Sequence, residues 1–309
     1  MDMLVIGSAA LDTIETPFGR RDEIIGGSAT YASAAASYFT RAHIMACVGD
    51  DFPEHGLEFY RNLNVDTSGL ERVAGRTFRW SGRYDKELAN RTTLLTELGV
   101  FASFAPKLTQ AHREIPFLFL GNIDPDLQIQ VLDQLTSPKF VALDTMNYWI
   151  ERKLEALRHV LGRVHAVLLN ESEARQISCE GKIVRAARAI RKLGPKVVVI
   201  KCGEFGAALF SEDSLFHVPA YPTADVMDTT GAGDTFAGAF VGYLAQMGEV
   251  TDAYLRQAAV MGSVLASFCV ERFGPEGIAS RSRTELRARA GDFRRLLHFD
   301  DIAALSSLR

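Results

Sequence analysis

Short runs of unbroken apolar residues recur along this chain, and each ends in glycine or a polar residue. Leu4-Val5-Ile6-Gly7, Phe117-Leu118-Phe119-Leu120-Gly121, Phe140-Val141-Ala142-Leu143-Asp144, Ala166-Val167-Leu168-Leu169-Asn170 and Val197-Val198-Val199-Ile200-Lys201 have this form. Residues 43–48, before Gly49-Asp50-Asp51, add another strand candidate. Helical patterns separate them, among them the alanine-rich stretch 28–39 and the segments 150–161 and 183–193. Strands apolar on both faces, alternating with helices, predict an α/β fold with a mostly parallel central sheet and helices on both sides. Ligands in such folds collect at the carboxyl ends of the strands. Asp144, Asn170 and Lys201 fall there.

Residues 70–101 break this rhythm. Thr77-Phe78-Arg79-Trp80-Ser81-Gly82-Arg83-Tyr84 alternates, and Arg91-Thr92-Thr93-Leu94-Leu95-Thr96 is rich in β-formers. A small antiparallel insert is expected there, with residues 13–25 adding strands to it. No linker or internal repeat divides the 309 residues, so one domain over 1–309 is expected. The net charge of −4 and pI near 6.0 argue against a nucleic-acid or membrane partner. Cys47, Cys179, Cys202 and Cys269 are scattered without metal or redox spacing. Reduced thiols, a first strand where a leader would stand, and no long apolar span lead to a cytoplasmic expectation.

The chemistry concentrates in Val226-Met227-Asp228-Thr229-Thr230-Gly231-Ala232-Gly233-Asp234-Thr235-Phe236-Ala237-Gly238. A Gly-Ala-Gly turn carries no bulky side chain, so its backbone amides can approach a ligand closely. A helix opening at Ala232 or Gly233 would point its amides and dipole at the same spot. Gly231, Ala232 and Gly233 then form an anion hole, and Asp234 stands beside it as a base for a hydroxyl proton. Transfer of a phosphoryl group to an alcohol needs that combination. No Gly-x-x-x-x-Gly-Lys-Ser/Thr motif is present, which excludes a P-loop enzyme.

The run Asp-Thr-Thr-Gly-Ala-Gly-Asp-Thr-Phe-Ala-Gly resembles the C-terminal signature of the ribokinase-like (PfkB) carbohydrate kinases. The resemblance implies a ribokinase-like sheet with a small β-sheet lid, ATP and Mg²⁺ as cofactors, and a small hydroxyl-bearing acceptor. It implies that Asp12, shortly after the first strand, binds acceptor hydroxyls; the alternative for Asp12 is a turn or cap. Gly26-Gly27-Ser28-Ala29-Thr30-Tyr31 takes the place of the family's N-terminal signature, with Gly26, Gly27 and Tyr31 at the acceptor. The asparagine common in that signature is missing, and Tyr31 brings an aromatic face instead.

Asn170-Glu171-Ser172-Glu173 resembles the family's Asn-x-x-Glu element, which implies Glu173 holds Mg²⁺ through water. An ordinary capping box explains the same residues. Lys201, Gly203 and Gly206 are implied at the nucleotide phosphates, as are Asn170, Thr230, Gly231 and Gly233. Asp144 and Asn147 lie near the presumed cleft, with Tyr148 and Trp149 where the family often has an arginine. Asp225 and Asp228 stand where some members bind a monovalent cation, which makes Asp228 a K⁺ candidate. Residues 264–268 and 274–277 match the adenine region.

The sequence therefore reads as an ATP-dependent kinase of a small sugar or polyol. Asp12, Thr77 and Arg79 hold the acceptor in this reading, with Arg79 facing the pocket and Phe78 and Trp80 facing away. The alternatives are an adenosine- or cytidine-type nucleoside kinase, in which Phe78, Trp80 and Tyr31 stack a base, and a cyclitol kinase. A catalytically inactive sugar- or nucleotide-binding regulator on the same fold is a further alternative. A monomer or a homodimer fits the composition equally.

Overall fold

The computed structural model describes residues 1–300 apart from 213 and 299. Its strands are β1 (Met3–Ile6), β2 (Ala10–Thr16), β3 (Gly19–Gly26), β4 (Ala42–Val48), β5 (Asp66–Arg72), β6 (Phe78–Tyr84), β7 (Arg91–Glu97), β8 (Phe117–Leu120), β9 (Phe140–Asp144), β10 (Ala166–Asn170), β11 (Val197–Lys201), β12 (Ala207–Phe210) and β13 (Leu215–Val218). The helices are α1 (Ser28–Ala36), α2 (Glu54–Asn62), α3 (Gln110–Arg113), α4 (Pro125–Leu132), α5 (Asn147–Arg152), α6 (Leu154–Leu161), α7 (Glu171–Ser178), α8 (Ile183–Arg191), α9 (Ala232–Met247), α10 (Asp252–Cys269), α11 (Glu276–Ala279) and α12 (Arg283–Leu297).

The central sheet runs β13-β12-β11-β10-β9-β8-β1-β4-β5, parallel from β5 to β11 and antiparallel at β12 and β13. The unbroken apolar runs follow from cover on both faces. In β1, Met3 and Val5 join a core built with α1, α9 and α10, while Leu4 and Ile6 face the core of α4, α6, α7 and α8. The same alternation divides Phe117 and Phe119 from Leu118 and Leu120 in β8.

Helices α1 and α9 pack closely because both offer small residues. A Cβ on Gly238 would stand 2.1 Å from the Ala32 carbonyl oxygen, and one on Gly242 would stand 2.9 Å from the Ala36 Cα. Four-residue spacing puts both glycines on one stripe of α9.

The small sheet runs β3-β2-β6-β7. Its outer pairs are antiparallel and β2–β6 is parallel. The insert is therefore mixed rather than purely antiparallel. Residues 70–72, at the start of the stretch expected in the insert, instead belong to β5, which extends the central sheet. The first lid strand begins at Ala10, so Asp12 itself belongs to the lid sheet rather than to a loop.

Candidate active site

Gly231 caps α9 with φ +73°, in the left-handed region. A side chain there would be strained, and its Cβ would also meet the Tyr31 ring at 2.4 Å. The helix then begins at once, so Asp234 falls in its first turn. The Ala232 amide donates to the Thr229 carbonyl at 3.3 Å and closes the turn. Among the described residues the amides of Gly231 and Gly233 have no protein acceptor, as the open end of a helix requires. The positive φ belongs to Gly231; Gly233 is needed for space, because a Cβ on it would stand 3.0 Å from Lys201 Nζ.

Lys201 and Asp144 end β11 and β9, and Lys201 Nζ lies 2.7 Å from Asp144 Oδ2. Burial alone would lower the lysine, but the Asp144 and Glu173 charges hold it above its ordinary value. Burial raises Asp234 well above the usual carboxylate range; the Asp144 charge adds to this, and Lys201 and Arg91 oppose it. Burial and Asp144 raise Glu173 in the same way.

Asn170 and Glu173 form a reciprocal cap at the start of α7. Asn170 Oδ1 accepts from the Glu173 amide at 2.9 Å, and Glu173 Oε2 accepts from the Asn170 amide at 2.8 Å. Among the described residues Glu173 Oε1 carries no protein hydrogen bond, so the cap leaves one oxygen for a hydrated cation.

Asp12 is buried against the glycine pair Gly26-Gly27. A Cβ on Gly26 would stand 1.9 Å from Asp12 Oδ2, and one on Gly27 (φ +92°) would stand 2.4 Å from the Ser8 carbonyl oxygen. Burial pushes Asp12 up to about 7; the Asp228 and Asp234 charges add to it, while the Gly27 amide and Arg91 oppose it. Tyr31 is 1% exposed, and its hydroxyl has no partner among the described residues.

The register of the small sheet corrects which residues face this site. Asp12 pairs with Trp80, and Leu11 pairs with Arg79. Paired residues share a face, so Trp80 stands with Asp12, and Arg79 stands on the opposite side. Arg79 Nε donates to Glu23 Oε1 at 2.7 Å, and its Nη1 lies 2.8 Å from Asp51 Oδ2. It is a clamp between β6, β3 and the loop after β4. Thr77 is likewise withdrawn: its hydroxyl donates to Asp51 Oδ1 at 2.7 Å and accepts from the Gly49 amide at 3.0 Å.

Asp228 Oδ1 accepts from the Thr230 amide at 2.8 Å and Oδ2 from the Gly274 amide at 3.1 Å, so both oxygens tie loops together. Asp225 lies in an exposed loop where its amide donates to Thr223 Oγ1. Gly203 (φ +56°) and Gly206 (φ +93°) frame a turn after Lys201, and a Cβ on Gly206 would meet the Val218 carbonyl oxygen at 2.1 Å. Asn147 Nδ2 donates to Gln176 Oε1 at 2.6 Å, and Trp149 Nε1 donates to Asn122 Oδ1 at 3.0 Å. Both contacts are structural.

Two lid residues escape sequence reasoning. Tyr84 Oη lies 2.8 Å from Thr230 Oγ1, beside the Gly-Ala-Gly turn. Arg91 pairs with Tyr84 in the lid, and its guanidinium carbon lies 5.0 Å from the Trp80 ring centroid. Even spacing from Trp80 to Tyr84 was visible in the sequence, but the face that spacing selects was not.

A family model described as pfkB family carbohydrate kinase matches residues 4–280. Cytidine kinase of Thermococcus kodakarensis is 30% identical over 248 residues, covering 78% of this chain and 87% of that protein. The structure of Burkholderia thailandensis nucleoside kinase in complex with inosine superposes with a TM-score of 0.77 at 20% identity, covering 96% of this chain and 97% of that one. A putative ribokinase II from E. coli in complex with ATP and Mg²⁺ superposes at 0.75 and 19% identity, covering 96% and 99%. These likenesses define a class of enzyme, a phosphotransferase with a hydroxyl acceptor. The chain belongs to the pfkB family of carbohydrate kinases. No described helix is long and apolar enough to cross a membrane.

Proposed function

We propose that this kinase phosphorylates a nucleoside, using ATP and Mg²⁺, with Asp234 as the base. The observation that carries the nucleoside reading is the register that puts the Trp80 indole on the Asp12 face of the lid. A sugar needs hydroxyl-binding groups, which Asp12 supplies. A nucleobase stacks on an aromatic plane placed beside them. The 30% identity to a cytidine kinase points the same way.

Asp12 accepts hydrogen bonds from ribose hydroxyls, and Trp80 lies against the base. The acceptor oxygen forms a bond to the γ-phosphorus as the bond from that phosphorus to the ADP oxygen breaks. The hydroxyl proton passes to Asp234, whose raised pKa suits a base working near neutral pH. The Gly231 and Gly233 amides, the α9 dipole and Lys201 stabilise charge on the phosphoryl oxygens. Glu173 would hold Mg²⁺ through water, and the ion supplies neutralisation of phosphate charge. Asn170 and the turn at Gly203 and Gly206 line the ATP side.

The test is a phosphoryl-transfer screen of cytidine, adenosine, inosine, ribose, deoxyribose and inositol. The highest kcat/KM is expected on a nucleoside. A preference for a free sugar or a cyclitol would overturn the nucleoside reading.

A further inference from the structure

We infer that Tyr31 is a positioning residue for the phosphoryl transfer: the face of its ring seats Gly231 and thereby aims the amides of the Gly-Ala-Gly turn. This rests on the reading of that turn as the anion hole, and it holds whichever acceptor the enzyme takes.

A glycine in the left-handed region needs something to hold it there. Gly231 sits at φ +73°, and glycine visits both signs of φ at little cost. Its amide belongs to the Thr230–Gly231 peptide, and a trans peptide points its N–H opposite to its C=O. Cys269 Sγ donates to the Thr230 carbonyl at 3.6 Å, and the Thr230 amide donates to Asp228 Oδ1 at 2.8 Å. On the other side, the Gly231 carbonyl accepts from the Thr235 amide at 2.8 Å, inside α9. Between these two bonded peptides only the Gly231 Cα is left to turn. Its φ and ψ set the angle between the Gly231 amide and the amides that follow.

Tyr31 closes that hinge. A Cβ on Gly231 would stand 2.4 Å from Cγ, Cδ1 and Cε1 of the ring alike. Equal distances from three consecutive ring atoms are met only on the axis through the ring centre. The Gly231 Cα therefore rests over the middle of the ring face, with a hydrogen turned toward it. The ring is itself fixed. Tyr31 lies in the first turn of α1, its amide donates to the Gly27 carbonyl at 3.3 Å, and α1 is pressed on α9 at Gly238 and Gly242.

The hydroxyl adds nothing to the seat. It has no partner among the described residues. Burial first, then the charges of Asp12 and Asp228, hold it well above the ordinary phenol range, so it stays neutral. A phenyl ring would seat Gly231 equally well. A flexible aliphatic chain offers no plane, and the turn would be free to sample other φ values. The face that meets Gly231 is closed to a nucleobase or a sugar, so Tyr31 acts on the transfer through the turn.

The experiment compares the full-length parent with Tyr31→Phe, Tyr31→Leu and Tyr31→Met. Initial rates are measured on the best acceptor among cytidine, adenosine, inosine, ribose, deoxyribose and inositol, with calorimetric ATP Kd and thermal melts beside them. Tyr31→Phe should keep kcat and acceptor KM within about twofold of the parent. Tyr31→Leu and Tyr31→Met should lose ~10–10²-fold in kcat through misdirected donors, with acceptor KM and ATP Kd moving less than about threefold. Tyr31→Met fills more of the ring's length and serves should Tyr31→Leu fail to fold. A kcat for the aliphatic variants within about threefold of the parent overturns the seat. So does a Tyr31→Phe enzyme as slow as they are, which would give the work to the hydroxyl. A loss confined to acceptor KM overturns it too, making Tyr31 an acceptor ligand. Parental activity in Gly233→Ala would instead take the anion hole away from the turn, a result read without any Tyr31 variant.

Discussion

Lys201 Nζ reaches 2.7 Å from Asp144 Oδ2 across an intervening strand, since β10 lies between the two that carry them. The lysine thus passes over the end of β10, above Asn170 and beside Gly233. Asp144 pairs with the positive charge that stands beside Gly233. Replacing Asp144 by Asn removes a negative neighbour and releases Lys201 toward the base. Both changes favour the ionised form of Asp234. The acid limb of the kcat/KM profile should move to lower pH, and a limb that stays in place or rises would contradict this coupling.

Asp234→Asn should keep ATP binding and cut turnover by ~10²–10⁴-fold, the usual contribution of a positioned base. Calorimetric titration of ATP beside steady-state rates separates the two effects. Near-parental turnover would remove Asp234 from the role.

The two glycines of the turn should fail differently. Gly233→Ala puts a methyl at 3.0 Å from Lys201 Nζ, the mobile end of a long side chain, so the fold survives while activity drops. Gly231→Ala combines a left-handed backbone with the Tyr31 ring at 2.4 Å and should cost roughly 1–3 kcal/mol of stability. Thermal melts beside activity assays check the contrast, and equal loss of stability in both variants would refute it.

Arg79→Ala should lower stability by roughly 1–3 kcal/mol through the lost bonds to Glu23 and Asp51. Acceptor KM should change little, because Arg79 stands on the far side of the lid from Asp12. A large rise in acceptor KM with an unchanged melt would return Arg79 to the pocket.

Stability and activity should respond oppositely to pH. Asp12 titrates at about 7 in the fold against an ordinary value of 3.8. The folded state therefore binds more protons than the unfolded one between those values. The stability this contributes is complete below about pH 4 and is lost as pH rises through about 7. Asp12→Asn should melt progressively higher relative to the parent from about pH 5 to about pH 8, while turnover of the parent rises as Asp234 ionises. A melting difference that stays constant with pH would exclude the buried charge as its source.

The central sheet was legible because its pattern is local: β1, β4, β8, β9, β10 and β11 each declare their own burial, and half-exposed β5 does not. The Gly-Ala-Gly turn was legible because residue type and spacing specify it within a few positions. The facing of the lid was not. A period of two fixes that Arg79 and Trp80 diverge, but which of them meets Asp12 depends on pairing between strands β2 and β6, far apart in the chain. Arg91 was obscured further by the irregularity at Ser81 and Gly82, which shifts the partner strand by one residue. Thr77 looked available because its hydroxyl's partners, Asp51 and Gly49, sit in a distant loop.

The stripe of Gly238 and Gly242 against Ala32 and Ala36 bears on more than packing. Helix α1 starts at the glycine pair and α9 at the Gly-Ala-Gly turn, the places the proposed mechanism gives to acceptor and phosphate. In the proposed mechanism, donor and acceptor are therefore aligned by two rods pressed together at this stripe through glycine and alanine alone. A methyl group added at Gly238, a full turn past the base, would open the travel of the phosphorus while leaving every reacting group untouched. In this enzyme the tolerance of the chemistry is machined into a contact that takes no part in it.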